Sequence, residues 1–157
     1  MVRTPKPLVE PESVLAYFSA AEANDFAQTW LVHFGGKRRG VNTKDFMWHV
    51  LSGECYPCTE GRVAWDDYTQ QHAVQYVVLS NDRKNAILTD ARPTKAMFSD
   101  CYIFPLNFAW TMVFTHEDGW LGPYFAKHVD YDNLNRANLL ELKKAQQFSL
   151  ARNKGWC

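Results

Sequence analysis

Three consecutive polar residues, His116, Glu117 and Asp118, are the part of the sequence most suited to chemistry. They end a run of alternating side chains, residues 108–117, which predicts a β-strand leading into a glycine-rich loop. A histidine there can act as an acid or a base near neutral pH when a carboxylate lies close by. Neighbouring residues of a strand point to opposite faces, so His116 and Glu117 would not converge. We therefore expect either a hydrogen-bonded structural histidine or a histidine at the rim of an aromatic pocket.

His49 is the natural second member of such a site. Its segment carries apolar residues at helical spacing, which predicts a helix capped by Thr43 and ending at Gly53. If this helix packs on the sheet, His49 lies at the edge of the interface. A hydrolytic or metal-assisted enzyme would then use His49, His116 and Glu117 as its catalytic residues.

Aromatic side chains suggest a second kind of site, one that binds a partner. Trp120 lies between two glycines, and a large ring on a glycine loop either closes the core or contacts a partner. The candidate contact residues are Trp48, His49, Trp110, His116, Glu117, Trp120 and Tyr124.

Cys55 and Cys58 form a C-x-x-C motif. A zinc site needs four ligands, and the sequence lacks a second closely spaced pair. A redox dithiol needs the motif at the start of a helix after a strand, whereas here a predicted helix precedes it. Structural thiols are therefore favoured, with metal binding and redox chemistry as the alternatives.

The overall composition excludes several classes of function. Basic and acidic residues number 17 each, so the chain has no net charge to attract nucleic acid or anionic lipid. No apolar run approaches the roughly 18 residues of a membrane span, and the first residues lack the apolar core of a signal peptide. The sequence has no glycine-rich nucleotide-binding motif and no hydrolase serine motif. We therefore expect a cytoplasmic protein that binds neither membrane nor nucleic acid and needs no cofactor.

The order of predicted elements indicates the fold class. Three prolines predict an extended arm over residues 1–11, followed by one domain over residues 12–157. A helical stretch at 12–18 and a Ser19-x-x-Glu22 capping box begin the helical part, as one helix or two, which ends at glycines 35 and 36. The remaining elements are helices at 43–53 and 60–71, strands at 74–80, 86–89, 100–105 and 108–117, and a helix from 132 with an apolar seam.

Helices separated from a continuous run of strands indicate an α+β fold. Short links between strands predict a mainly antiparallel sheet of about four strands. Because the strands alternate, we expect helices on one face of the sheet only, contributed by the N-terminal helices and the C-terminal helix.

Three segments resemble a family of small bacterial proteins of unknown function: 48–52 (WHVLS), 60–64 (EGRVA) and 110–125 (WTMVFTHEDGWLGPYF). The resemblance covers about residues 46–125, and the last segment is its most specific part. It implies a bacterial, cytoplasmic, single-domain protein with both helices and strands, and it implies no activity.

These observations favour a non-enzymatic binding domain, immunity-like or regulatory, whose partner is a protein or a small molecule. Neutral charge, abundant aromatic residues and the lack of a complete catalytic set support this interpretation. The enzyme built on His49, His116 and Glu117 is the alternative. A homodimer that uses the aromatic surface as its own interface is a third possibility.

Overall fold

The computed structural model describes residues 13–35, 43–93, 100–116 and 121–153. Their elements are β1 (Val14–Phe18), α1 (Ala20–Phe34), α2 (His49–Ser52), β2 (Thr59–Glu60), α3 (Arg62–Thr69), β3 (Tyr76–Ser80), β4 (Ala86–Thr89), β5 (Cys101–Phe104), β6 (Trp110–Phe114), β7 (Tyr124–Lys127) and α4 (Tyr131–Asn153). The fold is α+β, with an antiparallel sheet and a C-terminal helix, as predicted. The expected arm at 1–11, Glu117 and Trp120 lie outside the described residues.

The sheet has seven strands in the order β1-β4-β3-β5-β6-β7-β2, and every neighbouring pair is antiparallel. The prediction of about four strands is therefore wrong. The four predicted strands form the centre, and the three missed strands flank them. β2 has two residues, which is too short for an alternating pattern, and the four residues of β7 (YFAK) do not alternate between apolar and polar side chains. These strands exist because their neighbours pair with them.

The segment before the capping box is a strand, not the helix predicted at 12–18. β1 alternates between half-buried and exposed side chains and pairs with β4. Its leucine and alanine suit a helix, but pairing in the sheet overrides this weak preference.

α1 begins where the capping box predicted. The Ser19 side chain accepts a hydrogen bond from the Glu22 amide at 3.1 Å, and the Glu22 carboxylate accepts one from the Ser19 amide at 3.0 Å. Gly35 caps the other end by donating its N–H to the Leu31 carbonyl at 2.8 Å. The open question of one helix or two is thus settled for residues 14–34, which form one strand followed by one helix.

The next two helices are shorter than predicted. α2 is a single turn that begins after Trp48, so Thr43 does not cap it. Gly61 precedes α3, and the nearby Thr59 hydroxyl donates to the Asp67 carboxylate at 2.8 Å.

Both faces of the sheet are buried, which corrects the expectation of one covered face. α1 and α2 cover one face, and α3 with the first residues of α4 covers the other. All five residues of β6 are buried. Thr111 made the sequence of β6 alternate between apolar and polar residues, but its hydroxyl forms its hydrogen bonds inside the protein.

The Thr111 hydroxyl connects α1, β5 and β6. The Trp30 indole Nε1 of α1 donates to Thr111 Oγ1 at 3.0 Å, and Thr111 Oγ1 donates to the Ile103 carbonyl of β5 at 3.1 Å. Trp30 and Thr111 are both fully buried. A buried N–H without an acceptor is costly, so this pair fixes how α1 sits on the sheet.

α4 packs on the domain mainly through its beginning. Tyr131 and Leu134 pack against the core, and Asn107 donates to the Leu134 carbonyl at 3.0 Å. In the predicted apolar seam, by contrast, Leu139 is 47% exposed and Phe148 is 62% exposed. None of the helices in the described part of the chain is long and apolar enough to cross a membrane.

We expect Thr111→Val to destabilise the protein by about 1–3 kcal/mol, because the buried Trp30 N–H loses its acceptor while the side-chain volume is kept. Chemical denaturation monitored by tryptophan fluorescence measures the change. Thr69→Val is the matched control, since the Thr69 hydroxyl is exposed and bonds only within α3; it should change stability by less than about 0.5 kcal/mol. Equal effects of the two substitutions would contradict the role given to Thr111.

Candidate functional site

Asp100 is the centre of the candidate site. It is 7% exposed and lies directly before β5. Its Oδ1 accepts a hydrogen bond from the Trp48 indole Nε1 at 2.9 Å and another from the His116 amide at 3.1 Å. The His116 ring Nδ1 lies 3.0 Å from each carboxylate oxygen. One buried carboxylate thus holds both the backbone and the ring of His116.

Strand pairing explains this meeting. In the β5–β6 ladder, Cys101 lies opposite Phe114, so the residue before β5 meets the residues just after β6. Trp48 is held in turn by its amide, which donates to the Tyr102 hydroxyl at 3.0 Å. The α2 region and the end of β6 are therefore fixed against the same strand.

The contact with Asp100 determines the tautomer of His116. A carboxylate only accepts hydrogen bonds, so Nδ1 of His116 carries a proton. The side chain is 38% exposed, and its ring centroid lies 5.0 Å from that of Phe46 and 6.2 Å from that of Trp48. The result is an imidazole ring that is held in one orientation against the rings of Phe46 and Trp48.

His49 belongs to the same aromatic cluster. Its ring centroid lies 4.7 Å from Trp48 and 5.5 Å from Phe46, so the two histidines contact the same pair of rings. The structure thus brings together two of the three residues of the predicted catalytic set. The third, Glu117, is outside the described residues, and Asp100 supplies a carboxylate that contacts His116.

Sequence reasoning missed Asp100, although a signal was present. The predicted strands at 100–105 and 108–117 form a hairpin, and an assigned register would have placed Asp100 opposite the residues around 115. The predicted alternation instead ran beyond the actual end of the strand. It therefore placed His116 on the same face as Trp110. The strand ends at Phe114, and His116 contacts residues of the opposite face.

Trp110 and Tyr124 are core residues. Trp110 is fully buried, with its ring 5.7 Å from Tyr68 and 5.9 Å from Phe125. Tyr124 is 2% exposed and stacks on Trp48 at 6.1 Å. Tyr124 therefore packs against Trp48 inside the protein, whereas Trp110 lies on the other face of the sheet.

The two cysteines of the C-x-x-C motif pack against the same core cluster that contains Trp48. Both are half-buried, and Cys58 Sγ is 3.7 Å from the Leu51 carbonyl. Burial, with smaller contributions from Glu60 and Glu54, raises the pKa of Cys58 to about 11. Its thiol is therefore protonated at neutral pH and a poor nucleophile. Within the described ranges, no group of three or more His, Cys, Asp or Glu residues could hold a metal ion.

Comparison with known proteins places the chain in a family. Residues 21–125, more than half of the chain, match the family described as a domain of unknown function, DUF4275. The chain belongs to this family. The DUF4275 match includes Trp48, Asp100 and His116, and it ends before α4. No curated protein and no solved structure gives a significant match. Membership of a family of unknown function agrees with the resemblance seen in the sequence, whose specific motifs stay a prediction.

We expect Asp100→Asn to destabilise the protein by about 1–3 kcal/mol, because the amide cannot accept all the hydrogen bonds that converge on the carboxylate. Denaturant unfolding gives the difference from wild type. Asp66→Asn is the matched control, since Asp66 forms an exposed pair with Arg62; its effect should stay below about 1 kcal/mol. A stability of Asp100→Asn equal to that of the control would refute the role of Asp100.

We also expect Cys58 to react slowly with iodoacetamide at pH 8. A pKa of about 11 leaves roughly a hundredfold less thiolate than an ordinary cysteine has. Peptide mass spectrometry measures the labelling rate at Cys58 itself, and the same cysteine in the urea-unfolded chain is the reference. Equal rates in the folded and unfolded chain would show that the thiol is not protected.

Proposed function

We propose that this DUF4275 protein is a non-enzymatic binding domain that recognises a partner protein through a surface centred on His116. This His116 surface consists of Phe46, His49 and His116, with Trp48 beneath them. Glu117 and Trp120 follow His116 closely in the sequence and stay predicted contact residues. A regulatory or immunity-like role in a bacterial cytoplasm is the setting that we propose.

The observation that carries this proposal is the orientation of a partly exposed histidine by a buried carboxylate. Asp100 holds the His116 ring in one position before any partner arrives, so binding loses little side-chain freedom. Aromatic rings that also offer a hydrogen-bonding atom are typical centres of protein interfaces.

A protein fits this surface better than a small molecule. Neither His49 nor His116 lines the described cavities, which have volumes of about 310, 270 and 440 Å³. Small ligands prefer concave sites that bury most of their surface. The rings of Phe46, His49 and His116 are partly exposed, and partly exposed rings suit an interface with another protein.

The enzyme remains the second candidate, because a carboxylate that orients a histidine also occurs in acid–base catalysis. In that case His116 would act as the base, with Asp100 as its positioning residue and His49 nearby. Activity would then depend on His116 in purified protein without any partner. The homodimer is a third candidate, in which the His116 surface contacts a second copy of the chain.

We expect His116→Ala to weaken partner binding at least tenfold while the domain stays folded, because His116 is the oriented centre of the surface. Wild type and variants are immobilised, proteins from the source cells are captured, and the purified partner is then titrated by calorimetry. His72→Ala is the matched control, since His72 is an exposed histidine in contact with Arg92 outside this surface. It should bind as wild type does.

Three results would contradict this proposal. If His116→Ala captured the same proteins as wild type, the His116 surface would be excluded as the binding site. Hydrolysis of a panel of ester, peptide and phosphoester substrates by wild type, lost in His116→Ala, would favour the enzyme. A dimer in sedimentation that His116→Ala dissociates would favour self-association.

A further inference from the structure

A second pair of histidines lies outside the His116 surface. His33 is in the last turn of α1, and His128 directly follows β7. His128 Nε2 lies 2.9 Å from His33 Nδ1, and the ring centroids are 4.7 Å apart. Both side chains are half-buried. The pair joins the end of α1 to the connection between β7 and α4.

A backbone amide determines where the protons of this pair are. The Asp130 N–H donates to His128 Nδ1 at 2.9 Å, so that nitrogen carries no proton. Neutral His128 then has its proton on Nε2, which donates to His33 Nδ1. Neutral His33 in turn has its proton on Nε2. Each ring is therefore held in one neutral tautomer.

This arrangement has no position for an additional proton. Protonated His128 would direct its Nδ1–H at the Asp130 N–H. Protonated His33 would direct its Nδ1–H at the Nε2–H of His128. If His128 moved its own proton to Nδ1 to relieve this clash, it would again face the Asp130 amide. An additional proton on either ring therefore breaks at least one hydrogen bond, so protonation destabilises the contact between His33 and His128.

The same argument excludes the pair as a metal site in this conformation. Nε2 of His128 can give a lone pair to a metal only if the ring proton moves to Nδ1. Nδ1 would then oppose the Asp130 N–H. The 2.9 Å separation of the two nitrogens is accordingly a hydrogen bond between neutral rings.

Among the residues that the structure describes, no carboxylate forms an ion pair or a hydrogen bond with either ring. His33 packs on Phe108 at 5.1 Å. From the β7 side, the Tyr56 hydroxyl donates to the Lys127 carbonyl, and the Lys127 ammonium lies 4.5 Å above the Tyr131 ring.

Asp130 faces the pair with its amide, while its carboxylate accepts a hydrogen bond from Asn133 at 2.9 Å. Burial, and then repulsion from His128, lowers the pKa of His33. Burial also raises the pKa of Tyr56, which stays neutral.

His128 also positions the beginning of α4. Its carbonyl accepts a hydrogen bond from the Tyr131 amide at 3.0 Å, in addition to the bond between its ring and the Asp130 amide. We propose that the His33–His128 pair is a pH-sensitive latch, which holds α1 against the β7–α4 junction when both rings are neutral and opens when either ring is protonated. The sensed ligand is the proton, and the element released is the start of α4.

The direction of the pH effect follows from linkage. A histidine whose pKa is lowered by folding binds a proton more readily in the unfolded chain. Its stabilising contribution is therefore complete above the unfolded pKa of about 6.5 and declines as the pH falls below that value. One such group changes the unfolding equilibrium by up to tenfold per pH unit within this window.

The test compares the pH dependence of unfolding in wild type, His33→Asn and His72→Asn between pH 7.5 and 5. Asparagine at 33 can still accept the His128 Nε2–H but does not titrate, so the variant keeps the contact and loses one of its two titrating rings. We expect a flatter pH dependence for His33→Asn and a wild-type dependence for His72→Asn. Identical pH dependence in wild type and His33→Asn would overturn the latch.

Two measurements on wild-type protein test the latch without any substitution. Nitrogen-15 NMR of the rings at pH 7.5 should find His128 protonated at Nε2 only, and a proton on Nδ1 would overturn the proposal. Hydrogen exchange should show protection of the Asp130, Tyr131 and Leu134 amides falling at least tenfold more between pH 7 and 5 than protection in β5. Equal changes would show that α4 is not released.

Discussion

The candidate site depends on a buried carboxylate that has to find hydrogen-bond donors. Asp100 is taken out of water at the start of β5, and an ionised carboxylate in that position is stable only when N–H groups surround it. Trp48 and His116 supply these donors from two other parts of the chain. One requirement of electrostatics therefore fixes the α2 region, the end of β6 and the orientation of the exposed imidazole together.

Burial of both faces of the sheet imposes the same requirement elsewhere. The Thr111 hydroxyl in β6 serves Trp30 on one side and a neighbouring strand on the other. The Tyr102 hydroxyl similarly accepts from the Trp48 amide and donates to Asn81 at 2.8 Å. These few polar groups connect the α1–α2 layer to the sheet, whereas the surrounding rings supply apolar area without direction.

The parts of the fold that local sequence determines were predictable. The Ser19 capping box located the start of α1, because its hydrogen bonds join residues three apart. The four central strands had enough alternating or apolar residues to be recognised. β1, β2 and β7 were missed because they form through pairing with other strands, and the register of that pairing is not written in any one segment.

The candidate site, like the fold, was predictable only where the local sequence identifies its residues. His49 and His116 stood out by residue type, and α2 does bring them to one aromatic cluster. Asp100 is 16 residues from His116 and required the register of the β5–β6 hairpin. The His33–His128 contact spans 95 residues, and only the complete topology reveals it.

The far end of α4 has a consequence of a different kind. Residues 143–150 are all exposed. Their helical form therefore depends on composition, since lysine, alanine, glutamine and leucine are good helix formers, rather than on burial. A helical segment of this length is only marginally stable in water. On heating, the last turns of α4 should unwind gradually and well before the cooperative melting of the sheet, so that the circular dichroism signal declines before the core unfolds.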